Sequence, residues 1–386
     1  MGTVTMQALL GAQIVLPDRV VADAALLVRG ERIVDIVAID AIPAGCVPVA
    51  LDGGWLLPGF IDTQVNGGGD VLLNDRPDVD AFAAIATAHR RFGTTGLMPT
   101  LISDDAVIVD AAIVAAEAAL AQGVPGIWGV HIEGPHLNPV KNGIHDAAKF
   151  SAIDSVVLDR LSVPTRGRRI VTLAPEMAPS GAIAALTAAG VIVAAGHSLA
   201  DYDITRAALN EGLAGFTHLF NAMTQMQSRE PGMVGAALLD RASHFGLIVD
   251  GVHVHPAALQ VAIAARGIEG AMLVTDAMPP VGGAATSFTL MGQRIEAVDG
   301  ICRGPDGTLA GSALSMVAAF RNAMDMLGCS IVDASRMASG NPARFLRLDD
   351  ETGAIAPGLR ADLVHLDGQR SVQRTWIAGH VSEAGE

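Results

Sequence analysis

The sequence predicts a (β/α)8 TIM-like barrel, of the α/β class, with a small β-sandwich domain built from both chain termini. Eight apolar, β-rich runs alternate with alanine-rich helical segments between residues 56 and 278, an order typical of parallel strands covered on both faces. Both terminal regions instead hold short segments that alternate apolar and polar residues. Four of the eight runs also end in a polar residue, and a barrel brings its strand ends together at one rim.

The eight predicted strands differ in length but share a continuous apolar character. Helical patterns separate most of them, for example at residues 79–93, 104–123 and 200–212. A doubly wound open sheet is the alternative, but it explains less well why polar residues from the third, fifth, sixth and eighth strands should converge. The predicted strands lie at 56–65, 94–103, 127–134, 169–176, 191–198, 214–220, 244–254 and 271–278.

The two terminal regions are each too short for a convincing independent sheet. We therefore expect residues 1–55 and 351–386 to pair into one small β-domain beside a barrel of residues 56–350. A hairpin at about 286–310 and two helices, at 312–328 and 331–340, are predicted between the eighth strand and the C-terminal segment.

Composition excludes several classes of protein. The chain has 386 residues, of which 51% are hydrophobic and 17% charged, and this argues for a large buried core and against disorder. A formal net charge of −15 makes nucleic acid an unsuitable partner, because phosphate backbones need a basic surface. No apolar run reaches the roughly 18 residues of a membrane span, and the three cysteines show no paired spacing. We expect a cytoplasmic protein that does not bind a membrane.

Polar residues at four strand ends predict a metal-assisted hydrolase. Glu133, His197 and His218 end the third, fifth and sixth strands, and a carboxylate with two imidazoles can hold a divalent metal while one position stays open for water. Asp276 ends the eighth strand and supplies a second carboxylate for proton transfer. His131 lies deeper in its strand and is interpreted as a histidine of the barrel core.

The motifs along the chain resemble those of N-acetylglucosamine-6-phosphate deacetylases of the amidohydrolase superfamily. The resemblance spans about residues 50 to 365, and it rests most specifically on THLFNAM, REPG and VTDA, whereas PGFID marks only the superfamily. The remaining matching motifs are GGG, HIEGPHL, GHS, DGVH, LAGSALSM and GNPA. The resemblance implies a barrel with a β-sandwich from both termini, removal of acetate from a phosphorylated amino sugar, and a homodimer with the active site near the interface.

The resemblance also implies roles for individual residues. It makes Glu133, His197 and His218 the metal ligands and Asp276 the catalytic acid and base. His145 would stabilise the developing oxyanion, and Arg229 and His253 would hold the phosphate, which their charge and donor groups also suit. The predicted substrate contacts are Gln64, Ile144, His145, Asn221, Ala222, Arg229, His253, Leu309, Ala310 and Gly311.

The end of the first strand bears on the number of metals. Many members of the superfamily carry His-x-His there, whereas this chain has Gln64, Val65 and Asn66. Neutral amides are weaker zinc ligands than imidazole, so we expect one divalent ion per subunit. Zinc suits the Glu/His/His set, and Fe²⁺, Co²⁺ and Mn²⁺ are open alternatives. Gln64 would contact the substrate or a water on the metal.

Three other functions remain open at this point. The same chemistry would act on N-acetylgalactosamine 6-phosphate or another N-acyl amino sugar, because the epimers differ in the orientation of one hydroxyl. A different amidohydrolase would cleave a cyclic amide, but the usual second-metal residues are missing. A barrel that only binds phosphosugars would not need the proton-transfer group Asp276.

Overall fold

The computed structural model describes residues 5–383 and confirms the predicted barrel. Eight parallel strands pair in chain order in one sheet. Seven lie within a predicted apolar run, and the fourth begins one residue before its run. Several are shorter than predicted, because the chain leaves the sheet before the polar strand-end residues. The strands are β1 (Phe60–Val65), β2 (Thr94–Ile102), β3 (Gly129–Glu133), β4 (Arg168–Leu173), β5 (Ile192–Ala195), β6 (Gly215–Phe216), β7 (His244–Leu247) and β8 (Ala271–Leu273).

One helix follows each strand and covers the outside of the barrel. Several begin at an aspartate whose carboxylate accepts a backbone N–H of the first turn, as Asp78 does from Ala81 and Asp201 from Ile204; such caps stabilise a helix by about 1 kcal/mol. The helices are α1 (Val79–Arg90), α2 (Ala106–Ala121), α3 (Ser155–Leu161), α4 (Ala182–Ala188), α5 (Tyr202–Asn210), α6 (Gly232–Leu239), α7 (Pro256–Arg266) and α8 (Met316–Leu327).

Contacts just beyond β8 close the barrel against β1. Val65 and Ala277 form a parallel bridge, and the N–H of Asp276 donates to the carbonyl of Gln64 at 2.9 Å. The buried Asp62 carboxylate accepts the Thr275 hydroxyl at 2.5 Å across the same seam. The seam therefore carries Gln64 and Asp276 next to each other at the C-terminal rim.

The small domain is a β-sandwich to which both ends of the chain contribute, as predicted. Its two sheets enclose a separate apolar core that includes Leu26, Ile33, Leu56 and Trp376. One sheet has the strand order Arg32–Ala38, Ala24–Arg29, Met6–Leu10 and Val47–Ala50. The other has the order His380–Glu383, Val372–Ile377, Leu363–Leu366, Trp55–Pro58, Gln13–Val15 and Val20–Val21. The predicted boundaries of the domains at residues 55 and 350 stay predictions.

An insertion between β8 and α8 replaces the predicted hairpin with a larger sheet. Four antiparallel strands, Ser287–Leu290, Gln293–Val298, Ile301–Arg303 and Leu309–Ser312, form it. The second predicted helix begins as Ile331–Ser335, continues as a π-helical segment at Arg336–Gly340 and ends as Asn341–Phe345. A two-stranded ribbon at Gly67–Gly68 and Val71–Leu72 and 3-10 turns at Ile39–Ala41, Pro139–Lys141, Ala147–Lys149, Pro175–Met177 and Ile268–Gly270 complete the described chain.

The structure also bears on the helices' ability to cross a membrane and on the state of the cysteines. Among residues 5–383, every helix is too short or too polar to cross a membrane. Cys46, Cys302 and Cys329 are free thiols, of which Cys302 is buried.

Candidate metal centre

The polar residues at the strand ends converge on the C-terminal rim of the barrel. Glu133 is the last residue of β3, His197 and His218 each follow their strand by two residues, and Asp276 follows β8 by three. Glu133, His197 and His218 are buried. Because the strands are parallel, their carboxyl ends meet, and residues far apart in sequence share one small volume.

Three of these residues adopt an unusual backbone conformation. His197, His218 and Asp276 have φ values of +48°, +32° and +53°. Side chains other than glycine rarely occupy this left-handed region, which costs about 1–3 kcal/mol at each position. Ala222, in the loop after β6, also has a positive φ of +50°. The chain turns sharply after the strands at these points, and the side chains of His197, His218 and Asp276 line one cavity.

Glu133, His197 and His218 are close enough to share one cation. Glu133 Oε1 lies 3.3 Å from His197 Nε2 and 3.2 Å from His218 Nε2. The two Nε2 atoms lie 3.1 Å apart. All three ligand atoms are within 4.8 Å of one another, a spacing that an ion about 2 Å from each ligand requires. The residues fit a divalent metal.

The charges around this group favour a bound cation. Burial alone would raise the pKa of Glu133, but hydrogen bonds from His197 and His218 hold it well below the usual range. Burial likewise opposes a charged His218, yet the hydrogen bond to Glu133 raises the pKa of this imidazole. A buried carboxylate thus stays ionised and draws positive charge to the site.

A backbone contact orients His197 for ligation. His197 Nδ1 lies 2.8 Å from the carbonyl oxygen of Lys141. A carbonyl only accepts hydrogen bonds, so Nδ1 carries a proton and Nε2 is the atom that faces Glu133 and His218. A bound metal would take the place of any proton that Nε2 shares with Glu133. Second contacts of this kind fix the tautomer of metal-binding histidines.

Asp276 lies beside this group and is held by two amides. Asn66 Nδ2 donates to Asp276 Oδ1 at 2.6 Å, and Gln64 Nε2 lies 3.2 Å from the same oxygen and 3.3 Å from both carboxylate oxygens of Glu133. Burial and then the charge of Glu133 raise the pKa of Asp276. A raised pKa brings a carboxyl group nearer to the range in which it can accept and return a proton.

His145 packs against the metal ligands in a defined tautomer. Its ring centroid is 4.5 Å from that of His197. The backbone N–H of Ser103 donates to His145 Nδ1 at 3.3 Å, and the Ser103 hydroxyl lies 2.8 Å from the same atom. Because a backbone N–H can only donate, Nδ1 is the acceptor and Nε2 carries the proton. Burial, followed by the charge of His197, lowers the pKa of His145 to about 3, so the ring is a neutral N–H donor.

A cavity of about 250 Å³ opens above these groups. It is lined by most of the predicted substrate contacts, namely Ile144, His145, Asn221, Ala222, His253, Leu309 and Gly311, together with Glu133, His197, His218 and Asp276. Three predicted contacts are not among the lining residues. Gln64 is buried beside Glu133 and Asp276. Ala310 is fully buried behind the cavity wall, because side chains alternate along its strand. Arg229 is exposed in the loop after β6, outside the cavity.

His253 lines the cavity, and the carboxylate of Asp250 orients its ring. His253 Nδ1 lies 2.6 Å from Asp250 Oδ2, while Asp250 Oδ1 accepts the backbone N–H groups of Val252 and His253. Burial would raise the pKa of Asp250, but the bond from His253 lowers it overall. Within residues 5–383, no lysine or arginine lines this cavity.

Three residues that hydrogen-bond to side chains of the site were not among the predicted site residues. Asn66 contacts Asp276, Ser103 contacts His145, and Asp250 contacts His253. Asn66 directly follows the first predicted run and Ser103 ends the second, so the strand-end rule would have found these two. Asp250 lies inside the seventh predicted run, three residues after β7 ends. His131, in contrast, lies in the barrel core as expected, with Nδ1 2.9 Å from the Thr63 carbonyl and Nε2 2.7 Å from the Thr172 hydroxyl.

A parallel barrel with a buried Glu/His/His group at its C-terminal rim and a sandwich from both termini defines a class of metal-dependent hydrolases. The chain belongs to the amidohydrolase family, whose family model matches residues 55–382. It is 42% identical to an N-acetylgalactosamine-6-phosphate deacetylase of Shewanella sp. (strain ANA-3), over 86% of this chain and 84% of that protein. It is 37% identical to the human N-acetylglucosamine-6-phosphate deacetylase, over 85% and 83% of the two chains.

Solved structures show the same relationship. The N-acetylglucosamine-6-phosphate deacetylase of Pasteurella multocida superposes with a TM-score of 0.93 at 31% identity, covering 98% of this chain and 100% of that chain. An aspartate-to-alanine mutant of the Mycobacterium smegmatis enzyme, in complex with N-acetyl-D-glucosamine 6-phosphate, gives a TM-score of 0.89 at 33% identity, covering 98% and 99%. The match therefore includes both the barrel and the small domain.

Proposed function

We propose that this chain is a deacetylase that hydrolyses the acetamide of N-acetyl-D-glucosamine 6-phosphate to D-glucosamine 6-phosphate and acetate, in amino-sugar catabolism or recycling. The proposal rests on one observation: Glu133, His197 and His218 lie within hydrogen-bonding distance of one another, and Asp276 lies beside them in the same cavity. Deacetylases of this substrate are 37% identical over most of the chain.

Glu133, His197 and His218 would hold one divalent ion. When bound, such an ion polarises an amide carbonyl and makes a water molecule more acidic, with a pKa near 7 in favourable cases. We propose zinc, because a carboxylate and two imidazoles suit it, with Fe²⁺, Co²⁺ or Mn²⁺ as alternatives. Gln64 and Asn66 occupy the positions that would have to supply ligands for a second ion. Their amides instead contact Asp276.

Asp276 would transfer the proton. It accepts a proton from the attacking water and returns it to the nitrogen of the amino sugar, which is a poor leaving group as an anion. Asn66 binds one carboxylate oxygen, so Oδ2 is the atom that would exchange the proton.

His145 would stabilise the oxyanion that develops on the acetamide carbonyl. Its Nε2–H is fixed by the contacts of Nδ1 with Ser103. The hydrogen bond from a neutral donor held in a buried site becomes stronger as negative charge grows on its acceptor. Removing such a donor typically lowers the rate about 100- to 1000-fold.

His253 and Arg229 would hold the 6-phosphate. His253 faces the cavity with Nδ1 bound to Asp250, which leaves Nε2 for the substrate. Arg229 is exposed in a single chain, and we propose that it acts in a homodimer with the active site near the interface. Binding energy from the phosphate would then fix the acetamide beside Asp276. We also propose a cytoplasmic location, which three free cysteines suit.

N-Acetylgalactosamine 6-phosphate is the second candidate substrate. Two relatives named as deacetylases of this epimer are 42% and 38% identical to the chain, slightly above the 37% of the human N-acetylglucosamine-6-phosphate deacetylase. The two substrates share the acetamide and the phosphate, so the catalytic residues would act on either in the same way.

Acetate release from the two epimeric 6-phosphates, with and without a chelator, tests the proposal. We expect turnover of N-acetylglucosamine 6-phosphate that a chelator abolishes and one equivalent of metal restores, and about one ion per chain in the purified protein. The His197→Ala variant should lose both metal and activity, whereas the exposed His380→Gln variant should keep both. Turnover that persists in metal-free protein would contradict the role of Glu133, His197 and His218, and a higher kcat/KM for the galactose epimer would select the second candidate.

A further inference from the structure

A second cavity lies at the opposite end of the barrel from the metal centre. It has a volume of about 270 Å³, comparable to the cavity over the metal ligands. Its walls come from the loop between α2 and β3, the loop that leads into β4, and two positions of the C-terminal region, Leu348 and Arg360. These segments meet at the N-terminal ends of β3 and β4, so the cavity is separate from the site described above.

The charge of this cavity is opposite to that of the whole protein. Arg166, Arg168 and Arg360 line it, and no aspartate or glutamate is among its lining residues in the described part of the chain. The chain as a whole has 25 basic and 40 acidic residues and a net charge of −15. Arg360 has the Asp362 carboxylate beside it, whereas the guanidinium groups of Arg166 and Arg168 have no ion pair among residues 5–383. The concave space therefore has a local positive potential in an acidic protein, which concentrates small anions.

The contacts of Arg168 fix its position but leave its charge uncompensated. Its Nε donates to the carbonyl of Leu346 at 2.7 Å, its Nη2 to that of Arg347 at 2.9 Å, and its Nη1 to that of Gly167 at 3.3 Å. Carbonyl oxygens orient a guanidinium without neutralising it. Within the described part of the chain, two of its five N–H groups have no acceptor.

Arg360 and Arg166 carry further free donors. The Nε of Arg360 lies 3.1 Å from Asp362 Oδ1, and its guanidinium carbon is 4.9 Å from the centre of the Trp128 ring. Among residues 5–383, neither terminal nitrogen of Arg360 has a hydrogen-bond partner in the structure. The exposed side chain of Arg166 likewise has none within that part of the chain.

Trp128 adds an aromatic surface to the same cavity. Its indole packs against β2 at Gly96, where a Cβ would lie 2.2 Å from the indole nitrogen. This close approach holds the ring at the cavity wall, where it is partly exposed. Glycines at positions 123, 126 and 167 line the same space and leave it open. An aromatic ring beside arginines suits a ligand that combines an anionic group with a ring.

We propose that this cavity binds a small phosphate monoester, with the phosphate held by Arg166, Arg168 and Arg360 and the organic part against Trp128. Phosphate presents several acceptor oxygens, which match the forked donors of arginine better than a single carboxylate does. The volume admits a ligand of the size of a sugar phosphate or a nucleoside monophosphate. The inference does not depend on the proposed deacetylation, because it concerns the other end of the barrel.

Binding can be followed with the full-length protein at constant ionic strength. Inorganic phosphate, glucosamine 6-phosphate and adenosine monophosphate are titrated separately, and occupancy is measured by tryptophan fluorescence and by calorimetry. The Trp128→Phe variant identifies which part of the fluorescence change arises at this cavity. We expect saturable binding of at least one ester, with a lower Kd than that of inorganic phosphate. A stronger response to glucosamine 6-phosphate would identify an amino-sugar phosphate as the ligand, and a stronger response to adenosine monophosphate would identify a nucleotide.

Arginine variants decide whether the cavity is the binding site. Arg166→Gln should raise the Kd severalfold, Arg166→Glu more, and the double variant Arg166→Gln/Arg360→Gln about tenfold or more. Arg294→Gln, an exposed arginine of the inserted sheet, and His253→Ala, in the other cavity, should leave the Kd reported by Trp128 fluorescence within twofold. Arg166 is exposed, so its variants should fold even if changes at Arg360 do not. Absence of saturable binding, equal affinity for all three probes, or a Kd that both Arg166 variants leave unchanged would overturn the proposal.

Discussion

Asn66 Nδ2 lies 2.6 Å from Asp276 Oδ1, across the seam where β1 and β8 close the barrel. The first residue directly follows β1 and the second follows β8, so their contact exists only because the two ends of the sheet meet. The hydrogen bond lowers the pKa of Asp276 and opposes burial and the charge of Glu133, which raise it. The position of the proposed proton-transfer group therefore depends on an amide that the sequence alone did not mark as a site residue.

Replacing Asn66 by alanine should move the acid limb of the kcat profile to higher pH. Asp276 accepts a proton only when ionised, so activity is lost as the pH falls through its pKa. The hydrogen bond from Asn66 lowers this pKa, so removing the bond raises the pKa of Asp276 further. Activity is then lost at a higher pH. Rate profiles of the wild type and Asn66→Ala measure the shift. An unchanged limb would show that the bond does not tune Asp276.

The Asp276→Asn variant should bind metal and substrate but lose about 100- to 10,000-fold in kcat, the range typical of a lost acid–base group. Asparagine has nearly the same shape and can still contact Asn66, but it cannot accept and return a proton. Metal content and substrate Kd serve as the controls. Near-normal turnover would remove Asp276 from the proposed role.

The Ser103→Ala variant should lower kcat about tenfold, a change on the scale of one hydrogen bond. The hydroxyl lies 2.8 Å from His145 Nδ1 and helps to hold the ring, whereas the backbone N–H keeps the tautomer. Ser103→Thr should restore the rate because it restores the hydroxyl. An increase in KM without a change in kcat would indicate that Ser103 affects substrate binding instead.

The His253→Ala and Arg229→Ala variants should raise KM for the phosphorylated sugar far more than for the unphosphorylated sugar. A charged hydrogen bond to phosphate contributes about 1.5–3 kcal/mol, or roughly 10- to 150-fold in affinity. The unphosphorylated sugar lacks this interaction and should be nearly unaffected. The exposed Arg294→Ala variant is the control. Equal effects on both sugars would show that the residue in question does not contact phosphate.

Asp62 should make stability depend on pH. Burial raises its pKa from 3.8 to about 7, against the opposing hydrogen bond from Thr275. The folded state therefore binds a proton more tightly than the unfolded state, and its contribution is complete below the unfolded pKa. This contribution is lost as the pH rises through about 7, up to about 4 kcal/mol at 1.36 kcal/mol per pKa unit.

Unfolding free energies of the wild type and Asp62→Asn across pH 4–8 test this expectation. Asparagine does not titrate, so the variant should lose the part of the slope that arises at position 62. Equal slopes in both proteins would show that Asp62 has the same pKa folded and unfolded.

The sequence by itself predicted the features that depend on local pattern. Eight apolar runs separated by helical segments predicted the barrel, because strands buried on both faces must be apolar throughout. The strand-end positions of Glu133, His197, His218 and Asp276 predicted that these side chains would meet, because parallel strands place their carboxyl ends at one rim. The resemblance of the motifs then indicated the substrate class.

Only the tertiary structure decided which contacts complete the site. Asn66 reaches Asp276, Ser103 reaches His145 and Asp250 reaches His253 through turns whose backbone directions no local pattern specifies. Ala310 and Arg229 were predicted to contact the substrate, yet one is buried behind the cavity and the other is exposed outside it. The cavity lined by Arg166, Arg168 and Arg360 also had no signal in the sequence, because its walls come from separate loops. Side-chain direction and the meeting of distant loops follow from the packing of the whole chain. The hydrophobic periodicity of one segment carries no information about that packing.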